Sequence, residues 1–216
     1  MHARKPIYSH AEESFNAASH AFGFALSCLA LVLLLLRALP HDNGLYVVSF
    51  IAFGISLVLL YGASTAYHSA RTDNMRRRWR AVDHAAIFLL IAGTYTPFAL
   101  ITLGGTVGWA IFAASWSLAA VGVVLKLFYA GRFRITSTVA YVAMGWMILF
   151  AIDPLLDAFA GAGLWWLVAG GVTYTVGALI YAIPGLPWGH PVFHIFVLGG
   201  STCHFVAVYG YVLPAI

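Results

Sequence analysis

Residues 85–125 read AAIFLLIAGTYTPFALITLGGTVGWAIFAASWSLAAVGVVL, a run without one charged side chain. A helix crosses a bilayer in about 20 apolar residues, so the run is too long for a single crossing. Gly104-Gly105 is the place where it turns back. The run therefore predicts two consecutive spans, about Val82 to Leu103 and about Val107 to Phe128. The rest of the chain repeats that length. Pro40 and the turn His41-Asp42-Asn43-Gly44 stop a first span, about Ser19 to Leu39, and the basic stretch ARTDNMRRRWR follows a second, about Leu45 to Ser69. YAGRFR precedes a fifth, about Ile135 to Ile152. DPLLD separates that from a sixth, about Ala160 to Ile183, and PGLPWG leads into a seventh, about His190 to Val212.

Composition points the same way. Of 216 residues, 62% are hydrophobic and 8% charged, with a mean hydropathy of +0.90, whereas about a quarter of a soluble domain is charged. Only helices and closed barrels satisfy backbone groups in lipid, and long runs without alternation exclude barrel strands. The expected fold is all-α: a seven-transmembrane helical bundle, residues 1–216 forming one integral membrane domain with a short polar arm at about 1–18. That arm is not read as a signal peptide, because Glu12, Glu13, Asn16 and His20 interrupt the approach to the first apolar run and no small-residue cleavage site follows. The 21 glycines suit close helix packing in lipid. Cys28 and Cys203 fall mid-span outside any CxxC pattern, which points to packing rather than a disulfide framework.

Charge orients the bundle. With seven crossings, the amino terminus and the loops after spans two, four and six share a side, and that side collects Arg4, Lys5, Arg71, Arg76, Arg77, Arg78, Arg80, Lys126, Arg132 and Arg134. Only Arg37 lies opposite. The positive-inside rule places the amino terminus in the cytoplasm and the carboxy terminus outside. The formal charge of +4 is accounted for by this bias and by attraction to anionic lipid, without nucleic-acid binding.

The same end gathers polar residues that an apolar span has no structural need for. His68 closes span two, Asp83 and His84 open span three, and His190 and His194 open span seven; Glu13, Asn16 and His20 of span one join them. Ionisable groups in spans are costly and face a cavity or a partner. His190 and His194, four residues apart, share one face of a helix, and His68 can supply a third nitrogen. Three protein nitrogens on a tetrahedral ion leave one position for water, the arrangement of a catalytic zinc site. Asp83 is placed to hold or deprotonate that water, and Ser64, four residues before His68, to steady a ligand or a substrate oxygen. The alternatives are packed or interfacial histidines, and a Ser64 hydroxyl bonded back to the preceding turn. His84 points about 100° away from Asp83 around the helix and reads as interfacial. His204 lies about 15 Å beyond His194, too deep to share an ion, and reads as a satisfied interior histidine.

Four ordered segments, EESFNAASHAFG (12–23), STAYHS (64–69), VDHAAIFLLIAGTYTPF (82–98) and HPVFHIFVLGGSTCHF (190–205), resemble the successive signatures of the hemolysin III family, bacterial relatives of the progestin and adipoQ receptors. The resemblance implies seven transmembrane helices with an inside amino terminus and a zinc ion held by His68, His190 and His194, with Ser64 and Asp83 close by. The wider superfamily includes alkaline ceramidases, metal-dependent amidases of lipid. Family members often carry a charged or polar residue after the first histidine of the last motif, where this chain has Pro191. Proline biases the preceding residue away from helical dihedrals, which places His190 at the cap.

The expected chemistry is zinc-dependent hydrolysis of a lipid amide or ester by a bacterial inner-membrane protein, with membrane lipid as substrate and Asp83 as the base. A non-catalytic zinc-containing receptor or regulator of membrane lipid would use the same ion as a clasp between spans. A pore-forming hemolysin would need a polar stripe through the bilayer, whereas the polar residues cluster at one end with only His204 near the middle. Glu13, Asn16 and His20 either complete the cavity or satisfy one another.

Overall fold

The computed structural model describes residues 9–129, 134–159 and 161–213. Among them the chain forms α1 (His10–Ala38), α2 (Gly44–His68), α3 (Asp73–Pro97), α4 (Gly105–Phe128), α5 (Arg134–Gly145), α6 (Ile152–Ala158), α7 (Ala162–Ala182) and α8 (Gly189–Ala207). A π-turn, Phe98–Leu103, prolongs α3 and another, Val208–Val212, prolongs α8; the short 3-10 segment Met147–Ala151 joins α5 to α6. These make seven stretches long and apolar enough to cross a membrane. Arg4, Lys5 and Arg132, used above to orient the chain, lie outside the described residues, as does the side chain of Arg134.

The outward faces are greasy. Phe150 is 90% exposed, Trp165 75% and Leu36 63%, an arrangement that water would penalise and hydrocarbon does not. Inward faces carry small residues, so backbones approach closely. A Cβ on Gly93 of α3 would lie 2.3 Å from Ser56 Oγ and 2.9 Å from Ala52 O of α2. That contact seats α2 against α3 at the centre of the bundle, with Phe50, Phe53, Leu57 and Leu90 in the same apolar core. Gly104, at φ 58°, ends the π-turn and reverses the chain into α4 where the charge-free run requires it.

Three boundaries depart from expectation, each for a local reason. The polar arm does not reach residue 18: α1 starts at His10, because Ser9 and Glu12 form a reciprocal capping box that satisfies two free amides. The basic stretch is not a loop throughout. Thr72 accepts from Met75 N and starts α3 at Asp73, so Arg76, Arg77, Arg78 and Arg80 ride on its first turns, and Asp83 and His84 lie well inside the helix instead of opening it. DPLLD does not separate spans five and six but forms most of α6, the end of span five. Pro154 sits in the first turn of α6, where its missing N–H costs no helical bond. Cys28 and Cys203 are unpaired.

Gly93→Ala should force α2 and α3 apart, at a cost of about 1–3 kcal/mol. Gly44→Ala, with nothing within 4 Å of the added methyl, should be silent. Thermal midpoints of the two detergent-solubilised variants check this pair.

Candidate metal centre

The site is assembled where three helices begin or end. His68 is the last residue of α2, held in the helix while Ser69 closes it by donating to Thr65 O. At α8, the cap is Trp188, in a left-handed conformation. Its backbone N–H donates to Glu12 Oε1 at 3.0 Å, and its ring meets Phe15 edge-on. The capping acid of α1 thus also anchors the start of α8, a carboxylate placed favourably at a helix amino terminus. His190 is therefore not the cap. Pro191 is accommodated in the first turn, where no intrahelical N–H is needed, and His190 is fully helical, one residue inside.

Three imidazole nitrogens converge there. His190 Nε2 lies 3.1 Å from His68 Nε2 and 3.1 Å from His194 Nε2, and one nitrogen from each ring falls within 4.8 Å of the other two. A tetrahedral ion at about 2.0–2.1 Å from each imidazole separates its ligands by about 3.3 Å. The proton inventory supports the same occupant. His68 Nδ1 stands 2.7 Å from Glu13 Oε2, an acceptor, so it carries the proton and Nε2 is a bare lone pair. Ser19 Oγ donates its one proton to Asn16 O at 3.1 Å and must accept from His194 Nδ1 at 3.3 Å, which leaves His194 Nε2 bare as well. Two bare lone pairs therefore face the third ring at hydrogen-bond distance, and one N–H on His190 cannot serve both well. A cation does. The buried cluster of His68, His190 and His194 can hold a metal ion.

The partners behind the three histidines come from α1. Glu13 bridges His68 and Arg76, accepting a hydrogen bond from His68 Nδ1 and ion-paired to Arg76. His20 stacks on His194, centroids 3.5 Å apart and planes 11° from parallel. Glu13 and His20 thus contribute to the site, while the Asn16 amide is fully buried without a hydrogen-bond partner. Ser19 was not anticipated. Its only sequence signal is its place between Asn16 and His20, three residues from one and one from the other.

Asp83 is not one of the converging ligands. Its carboxylate lines the cavity that His190 and His194 also line, and Oδ2 lies 3.2 Å from His84 Nδ1. His84 Nδ1 also stands 2.8 Å from Arg80 O; facing two acceptors, it carries the proton and orients Asp83. His84 is thus more than an interfacial ring. Ser64 lines the same cavity with its hydroxyl buried and unpartnered. The bond back to the preceding turn is made by its neighbour Thr65, to Tyr61 O at 2.7 Å. His204 is buried in the far part of that cavity, its Nε2 3.2 Å from Leu167 O.

Seven apolar helices carrying a buried histidine cluster at one end define a multi-pass membrane protein with a candidate metal centre. The chain belongs to the haemolysin-III related family, whose model matches residues 8–205. It is 45% identical over 203 residues to Hemolysin-3 of Bacillus cereus, covering 94% of this chain and 93% of that protein. It is 42% identical over 200 residues to the Hemolysin-3 homolog of Bacillus subtilis (strain 168), covering 93% and 94%. The human Monocyte to macrophage differentiation factor is 25% identical over 210 residues, covering 93% and 84%. No solved structure matches.

His194→Ala should abolish stoichiometric metal, because two nitrogens hold an ion poorly. Glu13→Gln should retain the ion but weaken it by about 10–100-fold, the usual cost of losing a ligand's outer partner. Elemental analysis against graded chelator reads both; full metal content in His194→Ala would remove the three-histidine centre.

Proposed function

We propose that the protein is a zinc-dependent hydrolase that cleaves an amide or ester bond of a membrane lipid at the cytoplasmic end of a bundle in the bacterial inner membrane. The observation that carries this is the continuity of the histidine cluster with a single cavity of about 220 Å³. Its metal end is lined by Asp83, Ser64 and His20, and it continues between largely apolar walls past Leu90, Phe98 and Ile148. On this measure one water needs about 10–15 Å³, so the space admits a substrate. A polar junction with an acyl tail matches its two halves.

Three nitrogens suit zinc with one open position, whereas structural zinc sites are closed by four protein ligands. When bound, the ion would polarise the acyl carbonyl and bring the pKa of its water to about 7. The chain's own residues do the rest. Asp83, oriented by His84, accepts the proton from the attacking water and returns it to the leaving amine or alkoxide. Ser64 Oγ, buried with no other partner, donates to the substrate oxygen. Glu13 and Ser19 keep His68 and His194 in the tautomer that offers Nε2.

The distribution of basic residues supports this orientation. Arg71, Arg76, Arg77, Arg78 and Arg80 flank the end that carries His68 and His190, and the opposite end has Arg37.

Purified protein given membrane lipid extract should release free fatty acid when zinc-loaded and none after chelation, and Asp83→Asn should keep its zinc and lose turnover. Unaltered turnover in Asp83→Asn would make Asp83 structural. Zinc without any product from any lipid would favour the ion as a clasp in a non-catalytic regulator. In sealed vesicles of known orientation, an impermeant chelator should strip zinc only from the cytoplasmic face, faster in acid as the imidazoles protonate. Stripping from the outer face alone would reverse the topology, and equal stripping from both would favour a water-filled passage.

A further inference from the structure

The far half of the cavity is lined by a histidine that the proposed hydrolysis does not use. His204, 8% exposed, lines the cavity. Gly170 of α7 leaves room for one edge of its ring: a Cβ there would lie 2.2 Å from His204 Cδ2 and 2.4 Å from Nε2. That edge places Nε2 3.2 Å from the carbonyl of Leu167. A carbonyl only accepts, so Nε2 carries the proton of the neutral ring, and Nδ1 on the opposite side is a bare acceptor. Nδ1 is buried and has no hydrogen-bond partner.

The other polar side chains along this stretch are engaged. Thr94 donates to Leu90 O at 2.7 Å, Tyr95 to Gly145 O at 2.8 Å and Thr175 to Gly171 O at 2.7 Å, while Trp146 Nε1 donates to Thr175 at 2.9 Å. The Tyr174 hydroxyl is 2.8 Å from Ser201 Oγ, to which Tyr61 also donates at 2.7 Å, and the Tyr174 ring meets His204 edge-on with centroids 5.3 Å apart. This chain of hydroxyls ties α2, α7 and α8 together and fixes the wall against which His204 rests. Among the described residues lining the far half, His204 Nδ1 is the buried acceptor with nothing to accept, a condition native interiors rarely tolerate.

We infer that His204 Nδ1 is a recognition point for a hydroxyl group carried on the distal half of the acyl tail. The inference rests on the acyl-lipid reading of the cavity. His204 is ten residues beyond His194 on α8, about 15 Å along the axis, which is about the hydrocarbon depth of one leaflet. A tail whose carbonyl stands at the metal therefore presents its distal half to His204. An O–H there donates to Nδ1; a plain methylene leaves the acceptor unmet.

The test is displacement of radiolabelled stearate from the zinc-loaded, detergent-solubilised protein by unlabelled stearate, 2-hydroxystearate and 12-hydroxystearate. The last should bind about 5- to 10-fold tighter than stearate, the gain from one buried hydrogen bond, and 2-hydroxystearate should not share that gain. His204→Phe should abolish the preference while still binding stearate. His204→Asn, which keeps a short side-chain acceptor, should retain part of it and serves if the phenylalanine variant does not fold. Equal binding of stearate and 12-hydroxystearate, or a preference that survives in His204→Phe, overturns the inference and leaves the acyl reading standing. Failure of labelled stearate to bind overturns both.

Discussion

Three imidazole nitrogens in an apolar interior, that of His190 3.1 Å from each of the other two, are the constraint on which the rest of this structure turns. Each comes from a helix end, His68 from the last residue of α2 and His190 and His194 from the first turns of α8. Bare nitrogen lone pairs repel at that distance, so the metal that fits them would also contribute folding free energy, as it does wherever a site preforms only in the native state. Metal and bundle would then be coupled: whatever separates α2 from α8 separates His68 from His190 and His194.

The first helix has the largest supporting role. Glu12 caps its own helix and the start of α8, Glu13 fixes the tautomer of His68, Ser19 fixes that of His194, and His20 stacks on the same ring. Arg76 from α3 balances Glu13, so the acid is paired rather than isolated in a low-dielectric setting. With Asp83 also on α3, four helices meet at one end of the bundle, and the cavity that His20, Ser64, Asp83, His190 and His194 line there extends to His204.

Most of the fold was legible in the sequence because lipid imposes one dominant rule, a long apolar run per crossing, and it is satisfied seven times. The histidine cluster was legible because the four-residue spacing of His190 and His194 survives as a shared helix face, with His68 at the same depth. What was not legible depends on partners far apart in the chain. Ser9 caps α1 only because Glu12 reaches back, and Thr72 makes a helix of a stretch whose arginines resemble a loop. Ser19 and His194 meet across 175 residues and Glu13 and His68 across 55, separations at which spacing carries no rotational information. Pro191 misled for a related reason: its local bias is real, but the anchoring of Trp188 by Glu12 sets the cap two residues before His190. Ser64 and Thr65 show the limit of residue-type rules. Both can bond back to the preceding turn, and only packing decides that Thr65 does so and Ser64 faces the cavity.

The central claim is that one ion is held by three histidines from α2 and α8. X-ray absorption at the zinc edge of the purified, zinc-loaded protein tests it most directly. The account predicts a first shell of nitrogen and oxygen at about 2.0–2.1 Å with the outer-shell scattering of three imidazoles, reduced to two in Glu13-intact His194→Ala protein reloaded at high zinc. A shell containing sulfur at about 2.3 Å, or one without imidazole scattering, would contradict it.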